Sequence, residues 1–178
     1  MDEKIFNFEF CLQYEMTYCD YRRSYYAKLH AWFTVFGLAL MWASGASLAV
    51  QSVALSVALS VLGGLSIIAT TVGNFQKKCG CYDRVIDDLS KIKSEFKSKK
   101  HKVTVADIDD FEARIDAVMS SEKHYMRAVQ ECAYNDTLVS FDRDPDWKFD
   151  IGRFKMFSAN CIDWREPSKQ KRDIEKSK

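Results

Sequence analysis

Proline is nearly missing from this sequence: 178 residues hold two, Pro145 and Pro167, with only seven glycines. So little turn chemistry excludes an architecture of many short strands and tight turns. Net charge is small too, +1 from 26 Lys and Arg against 25 Asp and Glu, which excludes a nucleic-acid module that binds through a basic surface. There is no glycine-rich phosphate loop, no Gly-x-Ser-x-Gly elbow and no His-Glu-x-x-His pair, and the three histidines (His30, His101, His124) are dispersed. Neither enzymatic activity nor a cofactor is expected. The six cysteines lack the spacing of a disulfide scaffold and read as reduced thiols. Cys79-Gly80-Cys81 is not Cys-x-x-Cys and has no second pair at zinc spacing, so no metal site is expected. The N-terminus is acidic (Asp2, Glu3), and the apolar region begins too late for a signal peptide.

The decisive absence is local. Charged residues make up 29 % of the chain, yet none lies in the 48 positions from Leu29 to Gln76. At that frequency such a gap does not arise by chance, and a soluble domain of this size cannot cover it. About 20 apolar residues cross roughly 30 Å of hydrocarbon, so the stretch holds two spans, about 31–50 and 53–74. The break falls at Val50-Gln51-Ser52, where polarity rises, and its brevity demands a tight antiparallel hairpin. Arg22, Arg23 and Lys28 precede the first span, Lys77 and Lys78 follow the second, and the tip is uncharged. The positive-inside rule therefore predicts both termini in the cytoplasm. Trp32 joins these cations as an interface anchor, and Trp42, in mid-span, is expected to pack between helices.

What is present outside the spans is helical periodicity. Tyr14, Tyr18, Tyr21 and Tyr25 recur at steps of 4, 3 and 4, predicting a helix from about Phe8 into the first span. Phe75, Cys79, Tyr82, Ile86, Leu89, Ile92 and Phe96 mark a stripe that continues the second span as an amphipathic helix, with Gly80 as its expected kink. Thr104-Val105-Ala106-Asp107 resembles a capping box and opens a second long helix to about Leu138, with a pattern mismatch at Glu122. Asn135 near its end reads as a capping or interhelical hydrogen-bonding residue. The aromatic-rich segment 141–164 brings Trp147 and Trp164 as further candidate anchors, lying on a bilayer or packed on the cytosolic helices. Residues 165–178 read as a charged, disordered tail. The predicted organisation is all-α: an N-terminal helix (1–30), the two-span hairpin (31–74), a cytosolic helical pair (75–140), the aromatic segment and the tail.

Within the spans, small residues recur at steps of four: Ser52, Ser56, Ser60 and Gly64 on the second, Ala39, Ala43 and Ser47 on the first. Such stripes let helices approach closely. Either they zip the hairpin together, or the hydroxyls face neighbouring protomers or an axial channel. One hairpin cannot enclose a pore, so conduction requires a homo-oligomer. With no ionisable Asp, Glu, Lys or Arg in the spans, a proton relay is disfavoured.

This layout resembles the SLATT family of bacterial two-transmembrane effector domains over about residues 10–165. The matching residues are Tyr21-Arg22-Arg23 before the first span, the Phe75–Leu89 stretch after the second, and Cys132-Ala133-Tyr134-Asn135, similar to a Cys-x-x-Asn element late in the family's last long helix. The resemblance implies an oligomeric effector of the bacterial inner membrane that permeabilises it during anti-phage defence. It also implies a separately encoded sensor, of nucleotide-synthase or reverse-transcriptase type, as partner beside the lipid bilayer. The competing readings are a non-conducting scaffold that anchors a cytosolic partner and a phage or prophage protein of holin-like type.

Overall fold

The computed structural model describes residues 2–49, 52–120, 125–164, 166–170 and 173, and most of these are helical. Among the described residues six α-helices follow in order: α1 (Asp2–Ala49), α2 (Val53–Gly73), α3 (Phe75–Lys99), α4 (Val105–Met119), α5 (Arg127–Ser140) and α6 (Arg153–Ser158). Short 3-10 turns stand at Lys100–Lys102 and Pro145–Trp147. Two helical stretches, Asp2–Leu48 and Val53–Lys99, are long and apolar enough to cross a membrane. The chain divides into a helical unit, Met1–Arg22 with Tyr82–Lys178, and a hairpin unit, Arg23–Cys81.

α1 begins at Asp2, six residues before its expected start. Asp2 and Glu3 in the first turn complement the positive end of the helix dipole. The early turns are then held by burial of Phe8 and Leu12. Phe8 packs on Phe96 of α3 at 4.5 Å and on Phe111 of α4 at 5.9 Å between ring centroids. Leu89 and Ile92 of α3, Ile108 and Ile115 of α4, and Val129 and Ala133 of α5 complete this core. Each large side chain removed from water contributes roughly 1.5–3 kcal/mol. The predicted α3 stripe holds within this unit: Tyr82, Leu89, Ile92 and Phe96 are buried and Ile86 is half-buried.

The break in the returning helix falls at Asn74 rather than at Gly80. Asn74 is left-handed (φ 49°, ψ 34°), a conformation that asparagine tolerates better than most side chains. Its amide donates to the Thr71 carbonyl and its own carbonyl accepts from Lys78 N–H at 2.9 Å. Gly73 makes room for the turn, since a Cβ there would lie 2.5 Å from the Phe75 ring. Gly80 sits inside α3, and a Cβ there would meet nothing within 4 Å.

Two helices stand where one was expected between Thr104 and Leu138. The capping box at the start is formed: Asp107 N–H donates to Thr104 Oγ1 at 3.2 Å, and Thr104 N–H donates to the Asp107 carboxylate at 2.9 Å. α4 nevertheless stops at Met119. Polar Ser120 and Ser121 and charged Glu122 and Lys123 follow in the sequence, breaking the apolar face. Glu122 itself lies outside the described residues. α5 restarts after Met126, whose amide donates to the buried Tyr18 hydroxyl at 3.2 Å. A tertiary contact thus supplies one of the free amides at the start of this helix.

Beside Tyr18, Glu15 is mostly out of water and its Oε2 has no partner among the described residues. Burial first, then the Asp116 carboxylate, push Glu15 up to about 7 against a hydrogen bond with Tyr125. A carboxyl raised in the folded state penalises folding as pH rises from its ordinary value, 4.5, to about 7, and fully above that. Glu15→Gln is expected to raise the melting temperature at about pH 8 and change it little at about pH 4. Equal shifts at both values would show that ionisation is not the cause.

Candidate functional site: the apolar hairpin

The hairpin unit has the length its composition requires. The twenty steps from Val53 to Gly73 at 1.5 Å each give α2 about 30 Å. α1 and α2 meet closely where neither has a side chain: a Cβ on Gly63 would lie 3.2 Å from the Gly37 carbonyl oxygen, and one on Gly37 would lie 3.4 Å from that of Gly63. Nearer the tip the seam is polar. Ser44 Oγ lies 2.9 Å from both Ser56 O and Ser56 Oγ, and 2.7 Å from Ser60 Oγ. Ser47 Oγ donates to Ser44 O at 2.8 Å, and Ser66 is buried on the same seam.

Only part of the predicted stripes lies here. Ser56 and Ser47 are buried and Ser60 reaches Ser44, whereas Ser52 is half-buried and Ala39 and Ala43 are exposed. Gly64 is half-buried with open space where its Cβ would be. Steps of four overshoot the helical repeat by about 40° each, hence about 120° between residues 52 and 64. The seam follows Ser56, Ser60, Gly63 and Ser66 instead, at steps of 4, 3 and 3, with Gly37, Ser44 and Ser47 opposite. That alternation was present in the sequence as a small-residue pattern, although nothing there singled out Ser44 as its centre.

The remaining faces of the hairpin are apolar and uncovered. Only 17 % of the most apolar window in each of its helical stretches is buried. Trp42, expected between helices, is 83 % exposed, and Val35, Phe36, Leu48, Val57, Val61, Leu65 and Val72 are exposed as well. A patch of this extent exceeds what a monomer in water normally presents. At the end away from the tip, aromatic and basic side chains from both arms interleave. Phe75 stacks with Phe33 at 5.9 Å and with Tyr26 at 6.5 Å, and Lys78 Nζ lies 5.2 Å over the Tyr26 ring. Lys28, Trp32 and Lys77 are exposed around this collar and Arg23 is half-buried. His30 Nδ1 there is buried without a partner among the described residues.

Other predicted anchors serve the helical unit. Arg22 is buried: its Nε donates to the Tyr82 hydroxyl at 3.3 Å, and Nη1 to the Asn160 carbonyl and Oδ1 at 3.4 and 3.3 Å. Its guanidinium is therefore withdrawn from the surface role expected of it. Trp147 lines a groove with Phe6, Phe10, Tyr134 and Arg143. Trp164 donates to Ser158 Oγ at 3.2 Å and packs edge-on against Phe154. The segment around them is fastened to α5. Asn135 Nδ2 donates to Phe149 O at 2.9 Å while its Oδ1 accepts from Phe149 N–H at 2.8 Å, the pairing a neighbouring strand would offer. Cys132 is buried, and burial first, then Asp136 and Glu131, push its thiol up to about 11, so it is a protonated packing group at neutral pH.

Sequence reading missed Glu131. This buried carboxylate accepts from Ser168 N–H at 2.9 Å, Ser168 Oγ at 2.7 Å and Lys155 Nζ at 2.9 Å. Burial raises its affinity for a proton, but the Ser168 and Lys155 hydrogen bonds outweigh that and hold it below the ordinary carboxylate range. Part of the predicted disordered tail is thereby positioned: Asp150 N–H donates to Lys169 O at 2.9 Å and Phe149 bridges to Gln170. Residues 171, 172 and 174–178 lie outside the described residues.

Comparison with protein-family models, curated proteins and solved structures returns no match. The geometry therefore carries the functional reading. Ser44→Ala, which removes the shared partner of Ser56 and Ser60, is expected to weaken the hairpin by about 0.6–2 kcal/mol, read as a lowered unfolding midpoint of the purified chain in detergent. In the helical unit, Glu131→Gln leaves half-buried Lys155 without its carboxylate, though still bonded to Glu166 O and Ser168 Oγ, and should cost about 1–3 kcal/mol. The same change should make the segment after Trp164 cleavable in limited proteolysis, whereas an unchanged digestion pattern would show that the carboxylate does not hold it.

Proposed function

We propose that this chain is an oligomeric effector of the bacterial inner membrane that permeabilises or depolarises it in anti-phage defence, triggered by a separately encoded sensor. The observation that carries the reading is the hairpin: two helical arms of membrane-spanning length, uncovered apolar faces and a collar of Lys28, Trp32, Phe33, Phe75, Lys77 and Lys78 at one end. Exposed apolar area of this kind is stable in lipid, and amphipathic rings with basic residues favour a cytoplasmic interface. Both termini then lie in the cytoplasm, where the helical unit can receive a partner. The SLATT resemblance supports the defence role. Since one hairpin encloses no channel, conduction comes from several copies.

The serine seam favours a second reading. Ser44, Ser56 and Ser60 satisfy one another inside a single hairpin, which is what a non-conducting anchor for a cytosolic partner needs. High-level induction of the chain in bacteria carrying a voltage-sensitive dye separates the two. The effector reading predicts depolarisation, and its loss in Ser60→Leu at an equal level in the membrane fraction. A retained potential with the inserted wild-type chain overturns an effector that opens by itself. It leaves an anchor or a state held closed until its sensor acts, which repeating the measurement with the products of neighbouring genes co-induced then separates.

A further inference from the structure

Outside the hairpin, exposed large apolar side chains gather on α6 and the turn after it. Phe157 is 88 % exposed, Phe154 69 % and Met156 56 %, with Ile162 close in sequence. This is not a loose segment. Its inner side carries Lys155, paired with buried Glu131, and buried Ser158 and Ala159. Buried Arg22 holds the following turn through Asn160. A fixed scaffold of buried polar contacts thus presents three large apolar side chains outward, with exposed Arg153 beside them.

The contact with Arg22 locates this patch within the helical unit. Arg22 and Tyr82, which bond each other, are the residues at which the chain leaves the unit for the hairpin and re-enters it. Only residues 23–30 separate Arg22 from the first expected span, and only 75–81 separate Asn74 from Tyr82. We propose that the outer face of α6 (Phe154, Met156, Phe157), with Ile162, seats in the headgroup–acyl boundary of the bilayer and forms a peripheral lipid contact of the helical unit. The inference rests on the membrane reading of the hairpin. Lipid is the occupant because Arg22, which holds the turn after α6, stands only eight residues of sequence before the first expected span, and because bulky apolar side chains flanked by a cation suit that boundary.

The test uses the full chain in phosphatidylglycerol–phosphatidylethanolamine vesicles, with three of its four tryptophans replaced by Phe. Trp42 alone reports the hairpin. F157W, with all four native tryptophans replaced, reports α6. Lipids brominated at shallow or deep acyl positions and aqueous iodide serve as quenchers. Trp42 is expected to lose emission to the deep bromolipid. F157W is expected to shift its emission to the blue, lose it to the shallow bromolipid more than to the deep one, and resist iodide. Quenching of F157W by iodide alone, while Trp42 responds to bromolipid, overturns the α6 contact and leaves the membrane reading standing. Resistance to both quenchers means protein covers the patch and overturns it equally. Failure of Trp42 to respond to either bromolipid overturns the membrane reading, and the α6 contact with it.

Discussion

The serines of the apolar hairpin bond to one another because no Asp, Glu, Lys or Arg stands in residues 29–76 to serve them and a buried hydroxyl without a partner costs free energy. That constraint explains the hairpin. Backbone amides are satisfied by α1 and α2 themselves. The side-chain hydroxyls that remain are satisfied locally, as Thr70 and Thr71 on the Ile67 carbonyl, or across the seam at Ser44. The glycine crossing at Gly37 and Gly63 is the steric condition for the latter, since oxygen-to-oxygen distances under 3 Å require two backbones in near contact. The serine hydroxyls are thereby bonded on the seam, and the faces around it carry exposed apolar side chains.

The helical unit works by a different division of labour. Its centre is ordinary aromatic and aliphatic packing around Phe8, Phe96 and Phe111. Its C-terminal segment has too few regular hydrogen bonds to hold itself, and three side chains supply them. Asn135 imitates a strand edge, Glu131 gathers Lys155 and Ser168, and Arg22 joins Tyr82 to Asn160. Each donor or acceptor is buried or half-buried, so loss of one leaves its partner unsatisfied rather than simply returned to water.

These two regimes also decide what could be read in the sequence. The two long apolar helical arms were legible because a 48-residue absence of charge is a statement about composition, independent of neighbours. The box at Thr104 and Asp107 was legible because both partners lie within one turn. Arg22 and Glu131 were not, since charge alone cannot tell a surface cation from one enclosed by residues 60 and 138 positions away. The same holds for the α4–α5 division, where the amide of Met126 is met by a hydroxyl 108 residues earlier. The seam lay between these cases: its residue types were visible and their angular register was not.

The two arms of the hairpin are built differently. α1 passes through its arm with no residue outside helical geometry, whereas the returning arm changes at left-handed Asn74 between α2 and α3. Along the first arm each carbonyl accepts from the amide four residues on, so the angular positions of Gly37, Ser44 and Ser47 are fixed by one another. In the second, the register that places Ser56, Ser60, Gly63 and Ser66 ends at Asn74, and the stripe of α3 begins a register of its own.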